Sequence, residues 1–322
     1  MMRRFLILLG VLATSLASVV APAAHAVNGT TTPADPLAGV TVGPAASTIA
    51  PEPVLRFPKG FSVGKTTHLV SVTGTGEAVQ DGSFTLLQSI LVDARTGELL
   101  QSSFRGPPPL VKVDLTHAMP AIVDAVVGTT VGSRVLLAIP PSDTKDRKIL
   151  KAALGPRPTV HKNDVLVFLF DVKQIRHPLS QATGETLAAD PALPGVTRDG
   201  IGRPTIAKPA GSPPTTIVSQ TLVQGTGAPV QDNQTVVAQY RYWVWASGNQ
   251  VDSTWDRTVP VTFQVGQLQV VGNWDAELVG VPVGSEVMVV LPPDKAFGDG
   301  KPPSGVSATD TLVFVVDILD AY

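Results

Sequence analysis

Three blocks of sequence occur twice, in the same order and about 150 residues apart. Gly74-Thr75-Gly76 with Val79-Gln80-Asp81 returns as Gly225-Thr226-Gly227 with Val230-Gln231-Asp232. Val131-Gly132-Ser133 with Ile139-Pro140-Pro141 returns as Val283-Gly284-Ser285 with Leu291-Pro292-Pro293. Asp164-Val165-Leu166-Val167-Phe168 returns as Asp310-Thr311-Leu312-Val313-Phe314. The offsets of 151, 152 and 146 residues are too consistent for chance. Two long copies indicate two homologous domains; a solenoid needs shorter and more numerous units. The domains are expected over 57–176 and 217–322. The flanking segments 27–56 and 177–216 are rich in Pro, Thr, Ala and Gly, and read as extended linkers that bury no core.

Within each copy the pattern is antiparallel β. Residues 236–245 are β-branched and aromatic and predict a long strand that turns at Ser247-Gly248-Asn249. Val287–Leu291 and Thr311–Ile318 are apolar runs of strand length. Trp274–Val279, stopped by Gly280, suits one short helix. Its Asp275 and Glu277 are expected at a solvated helix end. Strands around one short helix make an α+β domain.

Composition narrows the chemistry. There is no Cys, which excludes a thiol nucleophile, a disulfide framework and Cys-based metal sites. The last His is His177, so a site in the second copy uses neither a Ser-His-Asp triad nor a His-ligated metal. All four Trp (Trp243, Trp245, Trp255, Trp274) and two of three Tyr (Tyr240, Tyr242) fall between 240 and 274. A site there acts by shape and apolar contact. The net charge of −2 carries no electrostatic footprint for nucleic acid.

Arg3-Arg4, the apolar stretch from Phe5 to Leu16 and Ala24-His25-Ala26 read as a secretory leader over 1–26, cleaved near Ala26. The protein is therefore expected to be secreted, without stable membrane insertion. Asn28-Gly29-Thr30 and Asn233-Gln234-Thr235 fit the N-glycosylation pattern.

The second copy resembles an FKBP-type peptidyl-prolyl cis-trans isomerase over 218–322. The resemblance rests on ordered motifs: Gly225-Thr226-Gly227, the strand to Tyr240, Val251-Asp252-Ser253-Thr254, Pro260-Val261-Thr262-Phe263 and Gly266. It continues through Val270-Val271-Gly272-Asn273-Trp274, Val283-Gly284, Leu291-Pro292-Pro293, Ala296-Phe297-Gly298 and Thr311-Leu312-Val313-Phe314. The tandem behind a leader resembles an actinobacterial-like secreted member. The resemblance implies two FKBP-like domains, each a twisted antiparallel sheet curled around one short helix, with an apolar pocket between.

It implies Trp274 as the pocket floor, with Tyr240, Asp252, Phe297 and Phe314 as catalytic positions. Val251, Val261, Phe263, Val270, Val271 and Val306 would contact substrate, and Arg257 would support Asp252. On the residues alone, Asp252 is equally a local backbone acceptor in a turn. The family usually has Phe at Val251 and an aromatic at Val261, while Phe297 replaces a hydroxyl-bearing Tyr. These departures imply a wider, less polar pocket. Trp243, Trp245 and Tyr242 are expected away from it, packing on the linker or the other domain.

The implied substrates are proline-containing segments of secreted or envelope proteins, with weak macrolide binding and no cofactor. The alternative is a non-catalytic proline-binding or chaperone module, or a structural envelope protein on the same fold. In the first copy Gln101 stands at the acid position and Ile122 at that of the Trp. After Pro140-Pro141 the aromatic-Gly pair is missing. That copy is expected to be degenerate.

Overall fold

The computed structural model describes residues 35–45, 51–155, 160–257, 259–267, 269–297 and 302–322. The expected leader, the sequon at Asn28 and Gly298 lie outside the described residues. The chain divides into two units, Met1–Arg176 and His177–Tyr322.

The first unit contains β1 (Thr41–Gly43), β2 (Val54–Arg56), β3 (Thr67–Val72), β4 (Phe84–Asp93), β5 (Leu99–Ser102), β6 (Leu110–Lys112), β7 (Arg134–Ile139) and β8 (Leu166–Arg176), with helices α1 (Pro120–Val126) and α2 (Thr144–Leu154). Its main sheet has the order β3-β7-β8-β4-β5, with β6 also on β4, and β1 pairs separately with β2. The second unit contains β9 (Glu185–Thr186), β10 (Val196–Arg198), β11 (Pro204–Ile206), β12 (Val218–Gln224), β13 (Thr235–Val244), β14 (Gln250–Ser253), β15 (Val261–Gln264), β16 (Glu286–Leu291) and β17 (Leu312–Ala321). Its main sheet runs β14-β13-β17-β16-β12-β9, with β15 also on β13 and β10 paired with β11. Without β9, the two orders correspond strand for strand. Registers correspond too: Thr85 faces Val111 as Val236 faces Phe263, and Arg134 faces Asp171 as Glu286 faces Asp317.

Each sheet is buried on both faces, which is why its central strands read as nearly unbroken apolar runs. On the inner face of the first unit, Leu87, Leu91, Leu137 and Phe168 pack on Ile122 and Val126 of α1. In the second, Val236, Phe263, Val289 and Phe314 pack on Trp274 and Leu278. Those two residues belong to a 3-10 helix, Val271–Leu278, where the sequence suggested a helix from Trp274. Gly280 follows at φ 83, a left-handed conformation that ends the helix. Asp275 is not solvated: it is fully buried, and its Oδ2 accepts the Gly266 N–H at 2.8 Å.

The outer faces are covered by the segments expected to be linkers, and here the sequence reading is corrected. Leu37, Val40 and Leu55 close over Ile90, Leu136 and Leu169 in the first unit. In the second, Ile206, Leu193 and Val196 lie over Trp243, Trp245, Met288 and Val313. Residues 177–216 form a strap. Leu179 N donates to Leu319 O (3.1 Å), Thr183 N to Gly284 O (2.8 Å) and Leu187 N to Leu222 O (2.9 Å). A Pro- and Gly-rich stretch buries little itself. Its sparse apolar residues suffice because the sheet supplies the other side of each contact.

Candidate functional site

Strand alternation sends Tyr240, Tyr242 and Val244 of β13 to the inner face, and Arg241, Trp243 and Trp245 away from it. Tyr242 faces Phe314 of β17 across the sheet, and the two rings stack at 4.6 Å and 14°. Phe314 also meets Trp274 at 5.4 Å, and Phe263 of β15 meets Trp274 edge-on at 5.3 Å and 72°. Trp274, 2% exposed, is the largest fully buried side chain, so its indole is a floor rather than a rim.

Around this floor stand half-buried side chains packed against the same cluster: Tyr240, Val251, Val261, Val270, Phe297 and Val306. They come from β13, β14, β15, the start of the 3-10 helix, the end of α3 (Pro293–Ala296) and the loop before β17. The structure thus gathers ten of the expected residues into one apolar cluster: these six half-buried side chains, Trp274, Phe263 and Phe314 beneath them, and Asp252 at the edge, bonded to Tyr240. Val271 is 36% exposed and is not among the residues packed on this cluster. Among the described residues no group of His, Cys, Asp or Glu could hold a metal ion.

Asp252 lies opposite Tyr242 in the β13–β14 register. Its Oδ2 accepts the Tyr240 hydroxyl at 2.5 Å, and its Oδ1 accepts the Ser253 N–H at 2.8 Å. Arg257, in the 3-10 turn Trp255–Arg257, donates to Oδ1 at 2.5 Å and to Oδ2 at 3.2 Å. It also donates to the Tyr240 oxygen at 3.1 Å and lies 5.9 Å from that ring's centre. Burial pushes the Asp252 carboxyl up, but the bonds from Arg257 and Tyr240 outweigh it and hold the pKa below the ordinary carboxylate value. Burial, and then the bond to Asp252, raise the Tyr240 phenol, which stays protonated and donates. The site therefore has an apolar interior with one compensated ion pair on its edge.

Tyr242 is a correction. Expected away from the pocket, it is 6% exposed within the inner cluster, between Tyr240 (6.2 Å) and Phe314. Period-2 alternation from Tyr240 was enough to place it. Trp243 and Trp245 lie on the outer face under the strap, and the Trp245 indole N–H reaches Gly211 O at 3.4 Å. Arg241-Tyr242 stands where the family prefers a small residue and Gly, but the sequence assigns Arg241 no role. Arg241 donates to Pro204 O of the strap (3.0 Å) and to Ser253 Oγ (3.3 Å), tying the outer layer to the strand that carries Asp252.

The corresponding place in the first unit is filled differently. By register Ser89 replaces Tyr240, Leu91 replaces Tyr242 and Gln101 replaces Asp252. Ile122 is 4% exposed where Trp274 stands in the other unit. After Pro140-Pro141 the chain forms α2, whose Leu150 is 1% exposed inside the inner core, with Ile149 and Leu154 packed beside it. No aromatic hydroxyl or indole lines this core.

Residues 227–319 match the family model for the FKBP-type peptidyl-prolyl cis-trans isomerase. An FK506-binding protein of Streptomyces anulatus is 32% identical over 120 residues, which are 37% of this chain and 97% of that protein. The FKBP-type isomerase FkpA of Escherichia coli is 31% identical over 106 residues, 33% of this chain and 38% of FkpA. The crystal structure of FkpA covers 39% of this chain and 51% of its own at 27% identity, with a TM-score of 0.29. Through its second unit, this chain belongs to the FKBP-type peptidyl-prolyl cis-trans isomerase family.

Proposed function

We propose that the second unit isomerises X–Pro bonds of extracytoplasmic polypeptides and that the first is a copy of the same fold that has lost its site. One observation carries the first half: half-buried apolar side chains stand around Trp274, with the charge of Asp252 at their edge compensated by Arg257. The planar amide resists rotation because resonance gives its C–N bond double-bond character, a barrier of about 20 kcal/mol. The planar form is also the more polar one, with negative charge on oxygen. A site that strips water from the amide favours the twisted form, without nucleophile or acid–base pair. Fixing Asp252 by three donors keeps its charge from competing for the substrate amide. A rate gain of ~10⁵ needs only about 7 kcal/mol of such discrimination.

The second half is supported by the shared strand order and by Ser89, Gln101 and Ile122 at the site positions. Secretion is supported by the leader-like first 26 residues. The substrates are proline-containing segments of secreted or envelope proteins. Weak macrolide binding is expected as well, because a relative of the second unit is an FK506-binding protein. A second reading, proline-segment binding without turnover, is favoured by Tyr242, which occupies inner-face space against Phe314.

An X–Pro peptide isomerisation assay on the whole chain decides. Trp274→Phe keeps the core filled and is expected to lower kcat/KM at least about tenfold, or ~1.4 kcal/mol. Asp252→Ala is expected to do the same while leaving the fold intact. Peptide binding without turnover in the unaltered chain supports the second reading; neither binding nor turnover overturns both.

A further inference from the structure

Arg241 stands on the outer face of β13, with its side chain only 11% exposed. It lies directly opposite Ser253 in the β13–β14 register and donates to Ser253 Oγ at 3.3 Å. Its Nη2 is 3.6 Å from Asp256 Oδ1, and its Nη1 donates to Pro204 O of the strap at 3.0 Å. Two of these groups flank the charged pair of the site: Ser253 follows Asp252, and Asp256 precedes Arg257. Asp256 also accepts from Gln250 Nε2 at 3.0 Å, which folds the turn back onto the start of β14.

The charged pair depends on its backbone. The Asp252 and Arg257 side chains are 33% and 48% exposed, and an ion pair this open contributes little toward ordering its own side chains. The end of β14 is fixed on β13: Thr254 N donates to Tyr240 O at 2.9 Å, and Thr254 Oγ1 accepts from Tyr240 N at 2.8 Å. Beyond Thr254, the contact from Arg241 to Asp256 holds the 3-10 turn against the sheet. The strap completes the arrangement. Pro204 opens β11 opposite Arg198 of β10, and Arg198 donates to both carboxylate oxygens of Glu286. One hairpin is thus fastened to β16 by Arg198 and offers a carbonyl to Arg241 on β13.

We propose that Arg241 is a positioning residue of the isomerase site: it holds Ser253 and Asp256 so that Asp252 and Arg257 meet, and the strap in turn holds Arg241. This rests on the isomerase reading of the second unit. The first unit supplies an internal comparison. Ser103 makes to Ser89 the bonds that Thr254 makes to Tyr240, so the two turns correspond. Gln101 then stands for Asp252 and Gly106 for Arg257, and no charged pair exists to be positioned. At the place of Arg241, opposite Ser102, is Ile90, packed with Leu37, Val40 and Leu55. That unit still ties its cover to its turn, with Arg105 donating to Glu52 Oε1 at 2.7 Å, but the contact bypasses the strand. Arginine stands on the strand in the copy that has a pair to position. Its planar fork reaches three acceptors at once, which a single ammonium does not.

The whole chain, labelled with 13C at aspartate, tests this without requiring turnover. The titration midpoint of the Asp252 carboxyl carbon is expected about 0.5 pH higher in Arg241→Met, measured where circular dichroism shows a folded chain. Arg241→Gln takes its place if the methionine variant does not fold. In an Arg257→Met background the same substitution should move the midpoint no further, because no pair is left to position. Arg198→Met, or Arg198→Gln where that fails to fold, loosens the strap and should raise the midpoint too, but not in the Arg241→Met background. On an X–Pro peptide, kcat/KM is expected to fall about three- to tenfold in Arg241→Met. An unmoved midpoint in folded Arg241→Met overturns the positioning role, and so does a shift that persists without Arg257. An unmoved midpoint in the folded Arg198 variant overturns the strap's part. If the midpoints move as expected while the unaltered chain shows no turnover, the geometry is supported and the isomerase reading is what falls.

Discussion

Asp252 is the charged residue whose surroundings most directly shape the site. Tyr240→Phe removes one of its donors without changing ring volume. The expected result is a three- to tenfold fall in kcat/KM, about 1 kcal/mol, with the thermal midpoint little changed. The pH dependence has a definite sign. The carboxyl's pKa is depressed in the folded chain, so its contribution to stability is present above the ordinary carboxylate value. It is lost only as pH falls through the depressed one. A kcat/KM profile is expected to stay flat through neutrality and to decline only below about pH 4. Asp252→Asn should lack that acid limb. At this scale the sequence was informative wherever a residue belongs to a motif or a strand face. The Asp252–Arg257 pairing was an expectation of the resemblance, and the side chains meet at 2.5 Å. It failed for Asp275, because a helix-end acid reads as solvated unless one knows that the Gly266 backbone lies against it.

At the scale of elements, the strap is held by a buried charge cluster as well as by apolar contact. Glu286 and Asp317 are each 1% exposed and face one another across β16 and β17. Arg198→Met leaves both without their cation and is expected to cost about 3 kcal/mol, the low end for a broken buried pair, by denaturant unfolding. Burial first, then the Glu286 carboxylate, push Asp317 up to about 8. An unfolded aspartate ionises near 3.9. Between those values the folded chain holds a proton that the unfolded chain has lost, so stability falls as pH rises through the window. Asp317→Asn should abolish the fall, raising the unfolding midpoint at about pH 8 and leaving it unchanged near pH 4. Strands β13, β16 and β17 were legible from their apolar runs. Those runs also implied that both faces are covered. The strap was not legible, because Pro- and Gly-rich sequence carries no periodic signal and its partners lie tens of residues away.

For the whole molecule, the assignment of the site to the second unit makes a further prediction. Leu150→Ala empties part of the first unit's core and is expected to destabilise that unit by about 2–5 kcal/mol. The kcat/KM of the chain at temperatures below that unit's unfolding should be unchanged; a parallel loss of activity would contradict the assignment. The sequence by itself determined the repeated blocks, the strand runs, the excluded chemistries and the family of the second unit. All of these rest on local pattern and on order along the chain. Only the tertiary structure decided what covers each sheet's outer face, that the Asp275 carboxylate is buried against the Gly266 backbone, and that Arg198 answers a charge reversed between the units from Arg134 to Glu286. Those facts depend on groups brought together from distant positions, where burial makes unpaired backbone and unpaired charge costly enough to select the partner.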